Sequence, residues 1–136
     1  MLHDVDWSAL PPTLAEFWTE RHLCTLSTLD RHGAPHAVAV GAVLDPARQC
    51  AWVITDGGSQ KVANLRRDGR LAVSQVDRAR WSTIIGTAEV LDDPETVAHA
   101  CERYAGRYRV PRENPNRVAL RITVERFLGS SQVLPA

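Results

Sequence analysis

The chain has 136 residues, of which 24% are charged, and its formal net charge at pH 7 is zero. This length suits a single domain with one core, and the absence of a basic excess disfavours nucleic acid as a partner. No apolar run reaches the roughly 20 residues of a membrane span, and the first residues lack the basic and apolar regions of a secretory signal. We therefore expect a soluble, unexported protein with no membrane partner.

The cysteines and histidines argue against a disulfide framework and a metal site. Cys24, Cys50 and Cys101 are odd in number, far apart and never in a Cys-x-x-Cys pair. The five histidines show no metal-ligand spacing. These features predict a protein of the reducing cytoplasm that holds no metal.

The first half of the chain predicts one helix and three strands. Leu10, Leu14, Phe17 and Trp18 recur at helical spacing around two prolines, which predicts a helix over 12–21. Three strand-like runs follow, at 23–29, 35–44 and 50–55. Turn signals at 30–33 and 45–48 join them, so we expect an antiparallel meander.

The second half predicts three more strands and two helices. The sequence "GGSQKVANLRRDG" predicts a helix within 57–69, and strands are expected at 70–76 and 81–91. Asp92, Asp93 and Pro94 start a helix that runs to about Tyr108. Its expected buried stripe is Val97, Cys101, Tyr104 and Tyr108. Residues 117–129 alternate apolar and polar side chains, as a half-buried strand does.

Six strands with short helices and no βαβ alternation predict a mainly β fold, an antiparallel barrel rather than a doubly wound sheet. One such domain would occupy residues 1–136. The sequence contains neither Gly-x-Gly-x-x-Gly nor a P-loop, so neither motif explains its glycines.

The glycine corner, residues 54–61 with the sequence "ITDGGSQK", is the strongest candidate for a binding site. Gly57 and Gly58 permit a tight turn, Ser59 can cap the following helix, and the first N–H groups of that helix are placed to bind a phosphate. Lys61 adds a positive charge at that end. The alternative is that Ser59 only caps the helix and Lys61 is only a solvated surface residue.

Two further segments have both a functional and a structural interpretation. "HAVAVGA" is small on both faces, which leaves room for a flat ligand beside the sheet, although tight packing also favours small residues. The run from Arg103 to Arg117 is rich in arginine and tyrosine. It is either a solvated helix end or a clamp for an aromatic carboxylate, since arginine pairs with carboxylates through two hydrogen bonds.

Together, "ERHLCTLSTL", "PHAVAVG", "ITDGGSQKVANLRRDG", "SQVDRARW" and "RYAGRYRVPRENPNRV" resemble the split-barrel flavin and deazaflavin reductases related to pyridoxamine 5'-phosphate oxidase. The resemblance covers about residues 12–131 and is strongest to the actinobacterial branch that uses coenzyme F420 on biliverdin. It implies a six-stranded antiparallel split β-barrel of the FMN-binding type. It also implies a homodimer with two sites at the subunit interface.

The resemblance assigns candidate roles by matching position. Ser59, Gln60 and Lys61 would hold the cofactor phosphate, with Asn64 in the adjoining turn of chain. Val38, Ala39 and Val40 would lie beside the deazaflavin rings, and Gln75, Arg80 and Trp81 would line the same cleft. The substrate would meet Tyr108, Arg109 and Arg112. The lysine motif of flavin-phosphate users is missing, which favours F420 over FMN.

The resemblance implies hydride transfer from C5 of reduced F420 to the central methine bridge of biliverdin, giving bilirubin. The proton would come from solvent or from a water bound to a nearby arginine. No catalytic acid is assigned. Two alternatives stay open: an FMN-dependent oxidase or reductase on the same barrel, and a non-catalytic module that stores or senses a flavin-like ligand or a haem product. Quinones and other conjugated electrophiles also stay open as acceptors.

Overall fold

The computed structural model describes residues 2–135, with side chains from Asp4 onward. The strands are β1 (Leu2–Asp4), β2 (Cys24–Leu29), β3 (Pro35–Val40), β4 (Ala42–Asp45), β5 (Cys50–Asp56), β6 (Arg70–Asp77), β7 (Arg80–Leu91) and β8 (Arg117–Gly129). The helices are α1 (Pro12–Thr19), α2 (Gln60–Arg67) and α3 (Pro94–Arg107), and a 3₁₀ turn covers Pro46–Arg48. Each predicted helix is present within a few residues of its expected bounds.

The strands form one antiparallel sheet in the order β3-β2-β6-β7-β8-β5-β4, and β1 pairs with β8. The two edge strands, β3 and β4, are separated in sequence by Gly41 alone. Because consecutive Cα atoms lie about 3.8 Å apart, the two edges of the sheet must come together. The sheet is therefore curled into a half-barrel, which confirms the predicted mainly β split-barrel class.

The strand count and the meander need correction. The segment 35–44, expected as one strand, is two strands that belong to opposite edges of the sheet, and β1 was not predicted. The break falls at Gly41, where a Cβ atom would lie 2.8 Å from Tyr104 Cε2 and 2.9 Å from Tyr108 Cε2. Two tyrosines of α3 thus occupy the space beside the bend, a contact that periodicity within the strand cannot reveal.

The main core lies inside the curled sheet and is closed by α1. Leu14, Phe17 and Trp18 of that helix are buried, in the same cluster as Leu26 and Phe127. Burial of one such large apolar side chain contributes about 1.5–3 kcal/mol. The helix is therefore an integral part of the core rather than a lid at its edge.

Helix α3 does not bury the predicted stripe. Its buried residues are Ala100 and Arg107, whereas Tyr104, Tyr108 and their neighbours on the stripe are half-buried. Ala100 packs in a second, smaller cluster that includes Trp52 of β5. Arg107 turns inward because the interior offers hydrogen-bond acceptors for its guanidinium, which hydropathy alone does not reveal.

All three cysteines are free. Among the described residues, no helix combines the length and the apolar character needed to cross a bilayer.

Candidate functional site

The glycine corner is a rigid turn between β5 and α2. Gly57 N–H donates to the Asn116 carbonyl at 2.8 Å, and a Cβ atom on Gly57 would lie 2.9 Å from that oxygen, so this position needs glycine. The Asp56 carboxylate accepts hydrogen bonds from Gly58 N–H and from the Asn114 amide, at 2.8 and 3.2 Å. These two bonds, strengthened by the charge of Lys61, hold the pKa of Asp56 below its usual value.

Ser59 and Lys61 are the unsatisfied polar groups of this corner. Ser59 stands at the N-cap position of α2, but its side chain makes no capping bond, and its Oγ is buried without a partner in the described chain. The first N–H groups of a helix also lack intrahelical partners. Burial lowers the pKa of Lys61, with Asp56 opposing the shift. A buried hydroxyl without a partner is rare enough in native proteins to suggest that a ligand completes it.

A basic cleft of about 550 Å³ opens beside the corner, within the size range of small-molecule sites. Its lining contains four cations and one carboxylate: Lys61, Arg109, Arg112, Arg117 and Asp56. In the hydrogen bonds and ion pairs recorded for residues 2–135, the side chains of Arg109 and Arg112 have no partner. The cleft therefore carries a net positive charge that suits an anionic ligand.

A second part of the cleft lining, which we call the apolar wall, consists of apolar and aromatic residues. It is formed by Leu23, Ala39, Val40, Gly41, Ile54, Tyr104 and Pro111. Tyr104 stacks on Tyr108 with ring centroids 4.9 Å apart, and the close approach of both rings to Gly41 fixes the pair. A flat conjugated ring system can pack against such a wall while its charged groups meet the arginines.

Tyr108 anchors this wall and does not itself line the cleft. Its hydroxyl donates to the His22 carbonyl at 2.6 Å and accepts from Ala42 N–H at 3.2 Å. Burial, with the neighbouring Cys24 as a second cause, raises the pKa of Tyr108 far above its usual value. The phenol is thus committed to the backbone, and Tyr104 is the tyrosine that faces the cleft.

Gln75 belongs to a buried network around Arg107. Its amide nitrogen donates to the Phe17 carbonyl at 3.0 Å, and its oxygen accepts from Arg107 Nη2 at 2.7 Å. Arg107 Nε donates to the Glu20 carbonyl at 2.8 Å, and Nη1 donates to the Ala42 carbonyl. The network ties the C-terminal end of α1 to β4, β6 and α3.

Within one chain, Gln75 and Trp81 project from opposite faces of the β6–β7 hairpin. Gln75 pairs with Ser82, and Val76 pairs with Trp81. Because side chains alternate across a strand, Gln75 points inward and Trp81 points outward. None of Gln75, Arg80 and Trp81 lines the basic cleft of its own chain, and their expected place beside the coenzyme stays a prediction.

Arg80 forms a surface ion-pair cluster. It donates to the Glu20 carboxylate at 2.9 and 3.1 Å and to Asp77 at 2.6 Å. His22 Nε2 lies 2.9 Å from Glu20, so Glu20, His22 and Asp77 gather three groups that could ligate a metal. Arg80 already supplies a positive charge to both carboxylates, and the expectation of a protein without metal stays a prediction.

Three other predicted residues, Gln60, Asn64 and Val38, make structural contacts outside the cleft. Asn64 is fully buried, donating to Thr28 Oγ1 at 3.0 Å and accepting from the Gln60 amide at 2.8 Å. Val38 is partly buried and packs against the main core. Neither Asn64 nor Gln60 lines the cleft, so their side chains position α2 in this structure.

The structure thus brings Ala39, Val40, Lys61, Arg109 and Arg112 together in one cleft. The sequence predictions missed Asp56 and Asn114 as lining residues, and they included Tyr104 and Arg117 only as members of the run from Arg103 to Arg117. Asp56 could have been anticipated, since it directly precedes the two glycines. The role of Tyr104 depends on a contact with Gly41, 63 positions earlier in the sequence, and left no local signal.

A curled split-barrel sheet with a basic cleft beside its glycine corner is typical of one class of proteins. A sequence profile of the pyridoxamine 5'-phosphate oxidase family matches residues 10–130, and the chain belongs to that family. The curated relative that it resembles is the F420H(2)-dependent biliverdin reductase of Mycobacterium tuberculosis. The two are 50% identical over 118 residues, which cover 87% of this chain and 86% of the relative.

Solved structures agree on the fold. A conserved hypothetical protein of Mycobacterium tuberculosis aligns with a TM-score of 0.76 and 27% identity, covering 91% of this chain and 86% of its own. A structure described as an F420 reductase aligns with a TM-score of 0.72 and 21% identity, covering 88% of this chain and 98% of its own. The resemblance recognised in the sequence is therefore confirmed, and with it the class of enzyme, an oxidoreductase.

Proposed function

We propose that the protein is an F420H2-dependent reductase that transfers hydride to a conjugated acceptor, with biliverdin, reduced to bilirubin, as the first choice. The relative at 50% identity supports both the coenzyme and the acceptor. The observation that carries the proposal is the basic cleft itself, in which Lys61, Arg109 and Arg112 share one lining with the residues of the apolar wall. Both molecules combine a flat ring system with anionic groups.

The residues of the glycine corner fit a coenzyme phosphate. The partnerless Ser59 Oγ and the half-buried Lys61 ammonium lie at the start of α2, where its free N–H groups also favour an anion. Gln60 and Asn64 hold that turn in place through their hydrogen bond. Val38, Ala39 and Val40 would lie beside the rings, where Ala39 and Val40 already line the cleft.

The acceptor is assigned to the part of the cleft between the arginines and Tyr104. Arg109 and Arg112 would pair with the two propionates of a tetrapyrrole. Tyr104, which stacks on Tyr108, would pack against the tetrapyrrole rings. Exposed pairs of this kind contribute modestly because solvent screens them. A quinone or another uncharged conjugated electrophile would pack against the same apolar wall but would form no ion pairs with the arginines.

The protein contributes orientation and electrostatics to this reaction. Bound reduced F420 would supply the hydride from its C5 position. Lys61 and Ser59 would fix the phosphate end, while the wall around Gly41 and Tyr104 would set the distance between the two ring systems and exclude water. Solvent, or a water bound to an arginine of the cleft, would supply the proton, and no side chain is assigned as the catalytic acid.

FMN is the second candidate coenzyme, favoured by membership of the pyridoxamine 5'-phosphate oxidase family. Titrating the apoprotein with F420 and with FMN, by fluorescence, separates the two: we expect tighter binding of F420. Protein purified from a host without F420 should be colourless, whereas a yellow protein would support FMN. Binding of coenzyme and acceptor without turnover would instead identify a sensor or storage module.

We also propose that the enzyme is a cytoplasmic homodimer that pairs through the outer face of β2, β6 and β7. Leu23, Val76 and Trp81 are 75%, 68% and 38% exposed, and Val76 and Trp81 are register partners. The outward residues next to them are uncharged: Thr25, Ser27, Ala72, Ser74, Thr83 and Ile85. The charged Arg70 lies only at the start of β6. Such a contiguous uncharged surface is typical of an interface.

The proposed pairing also offers a way for the predicted residues that do not line the cleft of their own chain to reach a binding site. Leu23 belongs both to this outer face and to the basic cleft, so the face continues into the site. Arg80 and Trp81 of a second copy could then reach the cleft of the first. Light scattering at low micromolar concentration should give a dimer, and Val76→Asp should give a monomer. A wild-type monomer that still binds coenzyme would contradict the shared site.

A further inference from the structure

A second cavity, of about 330 Å³, lies between α1, β4 and α3. It shares no lining residue with the basic cleft. Leu10, Trp18 and Val43 form its apolar wall, and Arg103, Gly106 and Arg107 contribute from α3. Its volume lies at the lower end of the range for small-molecule sites. We call it the α1–α3 cavity.

Two arginines and no aspartate or glutamate line the α1–α3 cavity, and the Asp45 carboxylate, just outside the lining, is kept charged in part by Arg103. Arg107 donates to three backbone carbonyls and to Gln75, so it acts as a fixed charge rather than as a free donor. Its cationic neighbour, Arg103, is the group that retains free donor capacity.

Arg103 makes one hydrogen bond, from Nη2 to the Leu44 carbonyl at 2.6 Å. Its Nε is buried and has no partner in the described part of the chain. The carboxylate of Asp45 is occupied by His99 Nε2 and Trp52 Nε1, at 2.8 and 2.9 Å, and makes no ion pair with Arg103 among residues 2–135. A buried donor without a partner is uncommon and calls for a ligand or a water molecule.

Gly106 supplies an independent observation. It lies in the last turn of α3, where glycine costs roughly 0.5–1 kcal/mol relative to alanine. No heavy atom lies within 4 Å of a Cβ built on Gly106, so packing does not demand a glycine there. A side chain at Gly106, which lines the cavity, would start in open space.

From these contacts we propose that the α1–α3 cavity binds a small amphipathic carboxylate, separate from the coenzyme and the acceptor. The carboxylate pairs with the Arg103 guanidinium, near the fixed charge of Arg107. The apolar body lies along Leu10, Trp18 and Val43. A compact monoanion suits the site better than a polyanion, because the wall is apolar and only one guanidinium has donors to spare.

Octanoate serves as the probe, titrated into the full-length protein by calorimetry, with octan-1-ol and octylammonium as uncharged and oppositely charged controls. We expect octanoate to bind about ten-fold or more tightly than octan-1-ol, as one charge-assisted hydrogen bond implies, and octylammonium not to bind. Saturating F420 or FMN should leave octanoate affinity unchanged, because the two sites share no residue.

Two variants locate the binding. Gly106→Leu places a side chain at the mouth of the cavity in a residue that favours helix, so it should weaken octanoate about ten-fold or more without lowering the melting temperature. The exposed Ala98→Leu on the same helix is the matched control and should bind as wild type. Arg103→Gln should weaken octanoate about ten- to a hundred-fold, with partial recovery in Arg103→Lys.

These binding measurements test the α1–α3 cavity independently of the reaction that takes place in the basic cleft. Octanoate binding that responds to Gly106→Leu and to Arg103→Gln supports it. Absence of octanoate binding, equal binding of octan-1-ol, or wild-type affinity in Gly106→Leu would each overturn it.

Discussion

Arg107 and Arg109 stand two residues apart in the same basic run and differ in almost every physical respect. Arg107 is 7% exposed, its guanidinium donates to three separate elements, and it packs against the rings of Trp18 and Tyr108. Arg109 is exposed and lines the basic cleft without a partner within residues 2–135. One arginine holds the fold together, and the other is available to a ligand.

The comparison shows that a run of like charges is not one functional unit. The last turn of α3 directs Arg107 inward to the C-terminal carbonyls of α1, where a cation is favoured by the helix dipole. The chain leaves the helix at Tyr108, and the segment after it carries Arg109 and Arg112 along the cleft. Both arginines carry the same charge. What distinguishes the structural arginine from the binding one is whether its N–H donors already have hydrogen-bond acceptors within the fold.

The largest effect is expected from Arg107→Met, which removes the buried cation and leaves its carbonyl acceptors without donors. Unfolding free energy should fall by about 3–5 kcal/mol in urea denaturation. Arg109→Met is the matched control and should stay within about 0.5 kcal/mol of wild type. Similar losses in the two variants would remove the distinction between the two arginines.

The second largest effect is expected from Lys61→Ala, which should weaken coenzyme binding without lowering the stability of the fold. Loss of a charge-assisted phosphate contact costs about 1.5–3 kcal/mol, or roughly ten- to a hundred-fold in F420 affinity. Fluorescence titration measures it, and the exposed Arg66→Ala at the other end of α2 controls for general loss of charge. Unchanged affinity in Lys61→Ala would mean that Lys61 is only a surface lysine.

The Glu20–Arg80 ion pair lies between the buried Arg107 and the exposed Arg109 in its access to solvent. It should make the stability of the fold depend on pH. Hydrogen bonds from Arg80, and then from His22, lower the pKa of Glu20 from 4.5 to about 2. A carboxyl with a depressed pKa stabilises the fold above pH 4.5 and loses that contribution as the pH falls towards 2. Because solvent reaches the pair, Glu20→Gln should cost about 0.5–1 kcal/mol at pH 6 and progressively less below pH 4. A pH-independent difference in urea melts would contradict this assignment.

Arg109→Ala should have the smallest effect, confined to an anionic acceptor. The Michaelis constant for biliverdin should rise a few-fold, as expected for an exposed ion pair, and the penalty should vanish at high salt. Coenzyme affinity and turnover of a neutral quinone should not change. Steady-state rates with both acceptors at two ionic strengths measure this, and equal losses for both would exclude a propionate clamp.

Local chemistry made the glycine corner and the strands predictable. Alternation over 117–129 gave β8 with its observed bounds, and the glycines, Ser59 and Lys61 marked the start of α2. Both features depend on residues within one or two turns of chain, where backbone preferences act directly.

Long-range contacts account for what the sequence did not reveal. The break at Gly41 and the exposure of Tyr104 in the cleft depend on each other across the fold. The inward turn of Arg107 depends on carbonyls of α1 and β4 that are distant in sequence. The pairing of Val76 with Trp81 sets which hairpin residues face outward, and that register is fixed only when the sheet forms.

The most direct test of the central claim is to mix the purified protein with reduced F420 and biliverdin without oxygen and to follow both molecules spectroscopically. We expect oxidised F420 and bilirubin to form in equal amounts, at a rate proportional to enzyme and strongly reduced in Lys61→Ala at limiting coenzyme. The account would be contradicted if reduced F420 gave no bilirubin and FMNH2, used in its place, did.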